Sequence, residues 1–164
     1  MLSYNWNSQK LVKKIYTKLV DGGIPCWMDI QGGMKVNMMT AMSEGVENAA
    51  AIIPFCTEKY QNSQNCQTEL SYAYEEKIPI IPVICDDGYT KKQKRGEIKE
   101  PSKWPCGWLA FSIAGRIYVD FRKNRDFDMA FESLVKNIEN ETSFIWTQVK
   151  SHSIQNRVVN WSKF

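Results

Sequence analysis

The chain contains a single histidine, His152, and none of its five cysteines forms a Cys-x-x-Cys pair. A zinc site needs clustered thiolate and imidazole ligands, so we expect no metal site in this protein. Cys26, Cys56 and Cys85 lie in apolar stretches, where reduced cysteine behaves as a small hydrophobic residue. The sequence also shows no signal peptide, and we therefore expect a cytoplasmic location.

Long apolar runs and a strong excess of one charge are missing as well. The longest apolar stretches, 49–56 and 78–85, are of strand length and far too short to span a bilayer. The net charge of +3 is too small and too dispersed for a nucleic-acid binder. We therefore expect neither insertion into a membrane nor a nucleic-acid partner.

Apolar periodicity along the chain alternates between strand and helix. Strands are expected at residues 1–4, 24–30, 50–56, 78–84 and 116–121. Helices are expected after Ser8, over 38–46, over 66–77 and from about Asp126, with a polar loop over 57–65. Alternation of this kind predicts an α/β fold in which helices cover both faces of a mostly parallel sheet.

Two features of this pattern concern its boundaries. Pro79 and Pro82 cannot donate ladder hydrogen bonds, so the strand over 78–84 is expected at a sheet edge or with irregular pairing. The length of 164 residues predicts one domain, placed at residues 1–140. Residues 141–164 alternate polar and apolar side chains, and we expect them to form a helical C-terminal extension. Because residues 1–4 are short for a buried strand, we expect the chain to begin inside a longer protein.

Several motifs, in this order, resemble those of TIR (Toll/interleukin-1 receptor) domains. They are Leu2-Ser3-Tyr4, Gly23-Ile24-Pro25-Cys26-Trp27-Met28-Asp29, the 50–56 strand, Cys66-Gln67-Thr68-Glu69-Leu70 and Ile80-Ile81-Pro82-Val83-Ile84. The likeness extends to about residue 139 and is strongest to invertebrate intracellular TIR proteins and the NAD-cleaving TIR of axon degeneration. It implies a flavodoxin-like sheet of five strands in the order 2-1-3-4-5.

The resemblance leaves two classes of function open, since TIR domains are either NAD+ hydrolases or self-associating adaptors. In the enzymatic members a catalytic glutamate lies in the third helix, and Glu69 matches that position. The resemblance thus implies an NAD+ glycohydrolase that uses NAD+ as substrate, needs no cofactor and gives nicotinamide plus ADP-ribose or a cyclic isomer. It also implies activation by association with other TIR domains in innate immune or cell-death signalling.

Further residues are candidates for binding NAD+. Ligands of open α/β sheets bind beyond the carboxyl ends of the strands, which places Tyr4, Asn5 and Trp6 near the substrate, with the amides of Asn7 and Ser8 available for a phosphate. The axon-degeneration enzyme has arginines after its corresponding tyrosine, whereas this chain has Asn5 and Trp6, so Trp6 is expected to stack on a base instead.

The resemblance adds two more regions to this list. Gly33 and Lys35 belong to the loop after the second strand, which TIR proteins use for self-association and for gating the pocket. Trp104-Pro105 is similar to a tryptophan-proline pair of enzymatic TIR domains, which implies an aromatic wall against the ligand or a neighbouring subunit.

Glu69 also has an ordinary structural interpretation. An acid in the first turn of a helix capped by Asn65 is stabilised by the helix dipole without any catalytic role. A scaffold that acts only by TIR–TIR contact, and a sensor that binds NAD+ without cleaving it, therefore remain as alternatives to the enzyme.

Overall fold

The computed structural model describes residues 1–29, 38–88 and 104–152. Its strands are β1 (Leu2–Ser3), β2 (Ile53–Cys56), β3 (Val83–Ile84) and β4 (Val119–Asp120). Its helices are α1 (Gln9–Asp21), α2 (Met38–Glu47), α3 (Glu58–Gln61), α4 (Gln64–Glu75), α5 (Gly107–Ile113) and α6 (Phe127–His152). A short 3-10 turn, Trp6–Ser8, precedes α1.

The four strands form one parallel sheet in the order β1-β2-β3-β4. Strand β2 pairs with β1 through Leu2 opposite Ile53, and with β3 through Phe55 opposite Val83. Parallel neighbours need crossover connections, and helices supply them between β1 and β2, β2 and β3, and β3 and β4. The predicted α/β class with a parallel sheet is confirmed.

The predicted count of five strands is wrong within the described residues. The segment 24–29, expected as the second strand, is not a regular strand, although its Trp27 carbonyl accepts a hydrogen bond from Leu2 N at 2.8 Å. Pro25 has no amide proton, and β1 is only two residues long, so little backbone is available for a ladder between them. The segment nevertheless lies beside β1 on the side away from β2, where the order 2-1-3-4-5 places the second strand.

Both faces of the sheet carry an apolar core, because side chains alternate along each strand. Ile53 and Phe55 face one cluster with α1 and α6, whose fully buried members include Ile15 and Leu134. Ile52 and Cys56 face the opposite cluster, which contains buried residues of α2, α3, α4 and α5: Val46, Tyr60, Leu70 and Leu109. The continuous apolar run of β2 reflects this burial on both sides.

The structure corrects two further expectations. Residues 57–65 are not only a loop: Thr57 caps α3 by accepting a hydrogen bond from Tyr60 N at 3.0 Å, and α4 begins at Gln64. The proline-containing strand lies inside the sheet, not at its edge, because β4 pairs on its outer side. Its pairing is irregular as predicted, since Ile80 makes only an isolated bridge to Ile52 before β3 begins at Val83.

The C-terminal helix α6 begins next to Asp126, whose carboxylate accepts a hydrogen bond from Met129 N at 2.9 Å. It continues without a break to His152, past the expected domain boundary at residue 140. Residues 153–164 lie outside the described residues, so the division into a domain and an extension stays a prediction.

Candidate active site

Glu69 lies in the second turn of α4, on the side that faces β1. The helix begins at Gln64, and its cap is Ser63, whose hydroxyl accepts a hydrogen bond from Cys66 N at 3.4 Å. The dipole interpretation, which placed Glu69 in a first turn capped by Asn65, is therefore wrong. Because the dipole effect decays within the first turn, another interaction must account for the position of this acid.

That interaction is a hydrogen bond from the hydroxyl of Ser3 to Oε2 of Glu69. Ser3 is the last residue of β1 and is only 1% exposed. Alternation along β1 sends Leu2 into the core beside α1 and sends Ser3 to the opposite face, toward α4. The carboxylate of Glu69 is thus held at the carboxyl end of β1.

The environment of Glu69 disfavours its charged form. The pKa of the Glu69 carboxyl is raised to about 7, chiefly because the group is buried and to a smaller extent because of the nearby charge of Asp29, while the Ser3 hydrogen bond and the amino terminus of Met1 oppose the rise. Part of the side chain reaches the surface, but the carboxylate is largely removed from water. A carboxyl whose pKa lies near 7 changes its charge in the physiological range, which is common among catalytic acids and bases.

A buried tyrosine completes this arrangement. The phenol of Tyr60 lies 2.8 Å from Ser3 Oγ, and its side chain is fully buried. Burial raises the pKa of the Tyr60 phenol well above its usual value, and the nearby Glu69 raises it further. Tyr60 therefore stays protonated and remains a hydrogen-bond donor in the usual pH range.

Tyr4 and Trp6 follow Ser3 directly at this end of the sheet. The hydroxyl of Tyr4 donates a hydrogen bond to the carbonyl oxygen of Asp29, which ties the end of β1 to the end of the segment 24–29. The rings of Tyr4 and Trp6 have centroids 6.1 Å apart, and Trp6 is 47% exposed. An indole with half its surface open to solvent beside the strand end is available for stacking on a planar ligand.

Asn5 forms hydrogen bonds with the backbone amides of Asn7 and Ser8. The side chain of Asn5 accepts hydrogen bonds from Asn7 N at 3.2 Å and from Asn7 Nδ2 at 2.8 Å, and its carbonyl oxygen accepts one from Ser8 N at 2.8 Å. A phosphate would have to compete with these partners, and the expectation that the amides of Asn7 and Ser8 receive one stays a prediction. Asn5 caps the 3-10 turn that precedes α1, and its predicted contact with the ligand stays a prediction.

Trp104 lies after the carboxyl end of β3 and packs against Gly88. Its Nε1 donates a hydrogen bond to the carbonyl oxygen of Asp86 at 3.2 Å, and its ring packs against the core cluster that contains Tyr60. A Cβ on Gly88 would lie 2.3 Å from Trp104 Cδ2, so the indole fits tightly over this glycine. These contacts give Trp104 a packing role, and its predicted contact with a ligand stays a prediction.

Gly33 and Lys35, the remaining candidate binding residues, lie outside the described residues. The sequence alone did not identify Ser3 or Tyr60 as site residues, although a sequence pattern indicates each of them. A serine at the end of an apolar strand places a hydroxyl at the sheet edge, and an aromatic residue within an otherwise polar segment indicates a buried anchor.

Across residues 1–29, 38–88 and 104–152, no group of three histidine, cysteine, aspartate or glutamate side chains is arranged to hold a metal ion. Within the same ranges, no helix combines the length and the apolar character needed to cross a bilayer.

Comparison with known proteins identifies the family. A family model described as "TIR domain" matches residues 1–135. Curated protein sequences contain no match to the chain. Among solved structures, the TIR domains of the activated Roq1 resistosome, which directly recognizes the pathogen effector XopQ, are similar at 16% identity and a TM-score of 0.47, covering 93% of this chain and 97% of that one. Because the family model spans most of the 164 residues, this chain belongs to the TIR domain family.

Proposed function

We propose that this TIR domain cleaves the bond between nicotinamide and ribose in NAD+, with Glu69 as the catalytic carboxylate. The observation that carries the proposal is the position of Glu69, held by Ser3 at the carboxyl end of β1. The segment 24–29 lies on one side of β1 and β2 lies on the other, so the strand order changes direction at this strand. In open α/β sheets such a switch point is the preferred site for a nucleotide ligand.

The chemistry needs one carboxylate and no general acid. Nicotinamide is cationic while it is bound to ribose, so the bond between C1′ and the ring nitrogen breaks with both electrons going to the nitrogen, and a neutral molecule leaves. Positive charge then develops on the sugar as an oxocarbenium ion. Ionised Glu69, held through Oε2 by Ser3, stabilises this charge on the ribose with its negative carboxylate.

The products follow from the group that captures the sugar. Water that adds to C1′ and releases a proton gives ADP-ribose, whereas an adenine nitrogen of the same molecule gives a cyclic isomer. Exposed Trp6 supplies a surface for stacking a base of the dinucleotide. The substrate is NAD+ itself, so the reaction requires no further cofactor.

We also propose that the active form is an assembly of TIR domains. The rings of Tyr74 on α4 and Phe111 on α5 lie 6.1 Å apart and are 46% and 71% exposed. Apolar rings that contact each other at the surface are typical of association sites. The same helix α4 carries Glu69, so contact at this surface would bear directly on the element that holds the carboxylate.

The test compares nicotinamide release by the wild type, Glu69→Gln and Glu75→Gln, each at high protein concentration with a crowding agent. Glu75 is exposed on the same helix, so its variant controls for the loss of one negative charge from α4. We expect Glu69→Gln to lose about 10²–10³-fold in kcat, the usual effect of removing one group that stabilises transition-state charge. Equal release by wild type and Glu69→Gln would reject the proposal, and no release from any of the three would favour the adaptor.

A further inference from the structure

We infer that Tyr60 is a positioning residue for Glu69 and acts on it through the hydroxyl of Ser3. The inference rests on the proposed function for its catalytic meaning. Its physical basis is the hydrogen-bonded chain that joins the phenol of Tyr60, Ser3 Oγ and Oε2 of Glu69. Three elements contribute to this chain: α3 carries Tyr60, β1 carries Ser3 and α4 carries Glu69.

The number of hydroxyl protons fixes which group donates and which accepts in these two hydrogen bonds. A serine hydroxyl has a single proton to donate, and ionised Glu69 can only accept. When Glu69 is ionised, Ser3 must therefore give its proton to the carboxylate, and the phenol of Tyr60 must donate to Ser3 Oγ. Tyr60 thereby sets the direction in which the Ser3 hydroxyl points.

Tyr60 is well anchored for this task. Its backbone amide donates to Thr57 Oγ1 at 3.0 Å, which fixes the first turn of α3 directly after β2. Its ring lies 6.1 Å from the ring of Trp108, whose Nε1 donates to the carbonyl oxygen of Gln61 at 2.9 Å. The phenol, held at both its backbone and its ring, provides a donor that needs no reorganisation as the reaction proceeds.

Loss of the phenol hydroxyl would change Glu69 in a defined way. Ser3 Oγ would lose the donor that orients it, and its hydroxyl would be free to rotate away from the carboxylate. Among the described residues, the other titratable groups that act on Glu69 or sense its charge are Asp29, the amino terminus of Met1 and Cys66. None of these replaces an oriented hydroxyl donor, so the ionised form of Glu69 would be less stable.

The test uses Tyr60→Phe, with Tyr72→Phe as the matched control. Tyr72 lies on α4 and its hydroxyl donates to Glu47 at 2.5 Å, so the control removes a tyrosine-to-glutamate hydrogen bond outside the site. The pKa of Glu69 is measured by NMR on protein carrying ¹³C-labelled glutamate carboxyls, with the Glu69 signal assigned by its loss in Glu69→Gln. Nicotinamide release is measured across the same pH range.

We expect Tyr60→Phe to raise the pKa of Glu69 by roughly half a unit to one unit, the equivalent of one hydrogen bond. The acidic limb of the pH–rate profile should move upward by the same amount, and activity should recover at high pH. Tyr72→Phe should change neither. An unchanged pKa of Glu69 in Tyr60→Phe, or an equal shift in the control, would overturn the inference.

Ser3→Ala provides a second route and covers the case in which Tyr60→Phe does not fold. It removes the donor to Glu69 directly and should raise the pKa of Glu69 at least as much, and an unchanged pKa would overturn the inference. In the Ser3→Ala background, Tyr60→Phe should add no further shift, because the connection is already broken; an additional full shift would refute action through Ser3.

The experiment separates this inference from the proposed function. If Glu69→Gln abolishes nicotinamide release while Tyr60→Phe matches the wild type in pKa and in pH profile, the inference falls and the function stands. If no protein releases nicotinamide, the function falls, and the NMR titration still decides whether Tyr60 controls Glu69.

Discussion

Replacement of Glu69 by glutamine should stabilise the protein in a manner that depends on pH. Glutamine keeps the shape of the side chain and an oxygen that can accept from Ser3, but it carries no charge. Burial raises the pKa of Glu69 to about 7 in the folded protein, whereas an unfolded glutamate titrates near 4.3 to 4.5. A carboxyl with a raised folded pKa favours folding only while it is protonated. Its contribution is therefore complete below about pH 4.5 and is lost as the pH rises through 7.

The magnitude follows from the two pKa values. A difference of about 2.5 units, at 1.36 kcal/mol per unit, means that ionised Glu69 costs the folded state about 3 kcal/mol at pH 8. At pH 5 the same linkage gives less than about 1 kcal/mol. The advantage of Glu69→Gln over the wild type should thus grow by about 2 to 3 kcal/mol between pH 5 and pH 8. For a domain of this size the gain at pH 8 corresponds to a rise in Tm of roughly 6 to 12 °C.

The assay is urea unfolding of the wild type, Glu69→Gln and Glu75→Gln at pH 5 and pH 8. Comparing each variant with the wild type at both pH values cancels the titration of every group that does not interact with the substituted side chain. Glu75 is exposed on the same helix, and its variant should show little change between the two pH values because surface charges contribute little to stability. If the free-energy difference between Glu69→Gln and the wild type is the same at pH 5 and pH 8, the reasoning about the buried carboxylate is refuted.

A positive result would also bear on function. Active-site residues often lower the stability of the folded protein because their charge is needed for activity. The combination of higher stability and lost nicotinamide release in Glu69→Gln would identify Glu69 as such a residue.

Three further predictions concern Gly88, Trp6 and Phe111. Gly88→Ala should lower the free energy of unfolding by more than Gly107→Ala. Both glycines have positive φ, which costs an alanine about 1 to 2 kcal/mol, but only at Gly88 would the added Cβ also lie 2.3 Å from Trp104. Equal losses in urea unfolding would argue against close packing of Trp104. Trp6→Ala should raise the KM for NAD+ by roughly tenfold with little change in kcat, since a stacked base contributes about 1 to 3 kcal/mol; an unchanged KM would remove Trp6 from the binding site. Phe111→Ser should weaken self-association in sedimentation velocity, because the ring is 71% exposed beside Tyr74; a variant that associates like the wild type would place the TIR–TIR contact elsewhere.

The sequence alone determined the class of fold and the family. Periodicity reports burial directly: the unbroken apolar run before Thr57 marks a strand covered on both faces, and the helical spacing of Val12, Ile15 and Leu19 marks one buried helix face. The family resemblance singled out Glu69, and the family model confirms membership. Local patterns carry this information because each depends on the residues of one element.

Tertiary structure alone decided which groups surround Glu69. Ser3 and Tyr60 lie 57 positions apart in the chain, and Ser3 lies 66 positions from Glu69, so no local pattern links the three. Contacts between distant elements also decided two other features: the position of the proline-containing strand inside the sheet and the weak pairing of the segment 24–29. Hydrogen bonds and burial are set by what packs against a side chain, and only the folded chain brings those partners together.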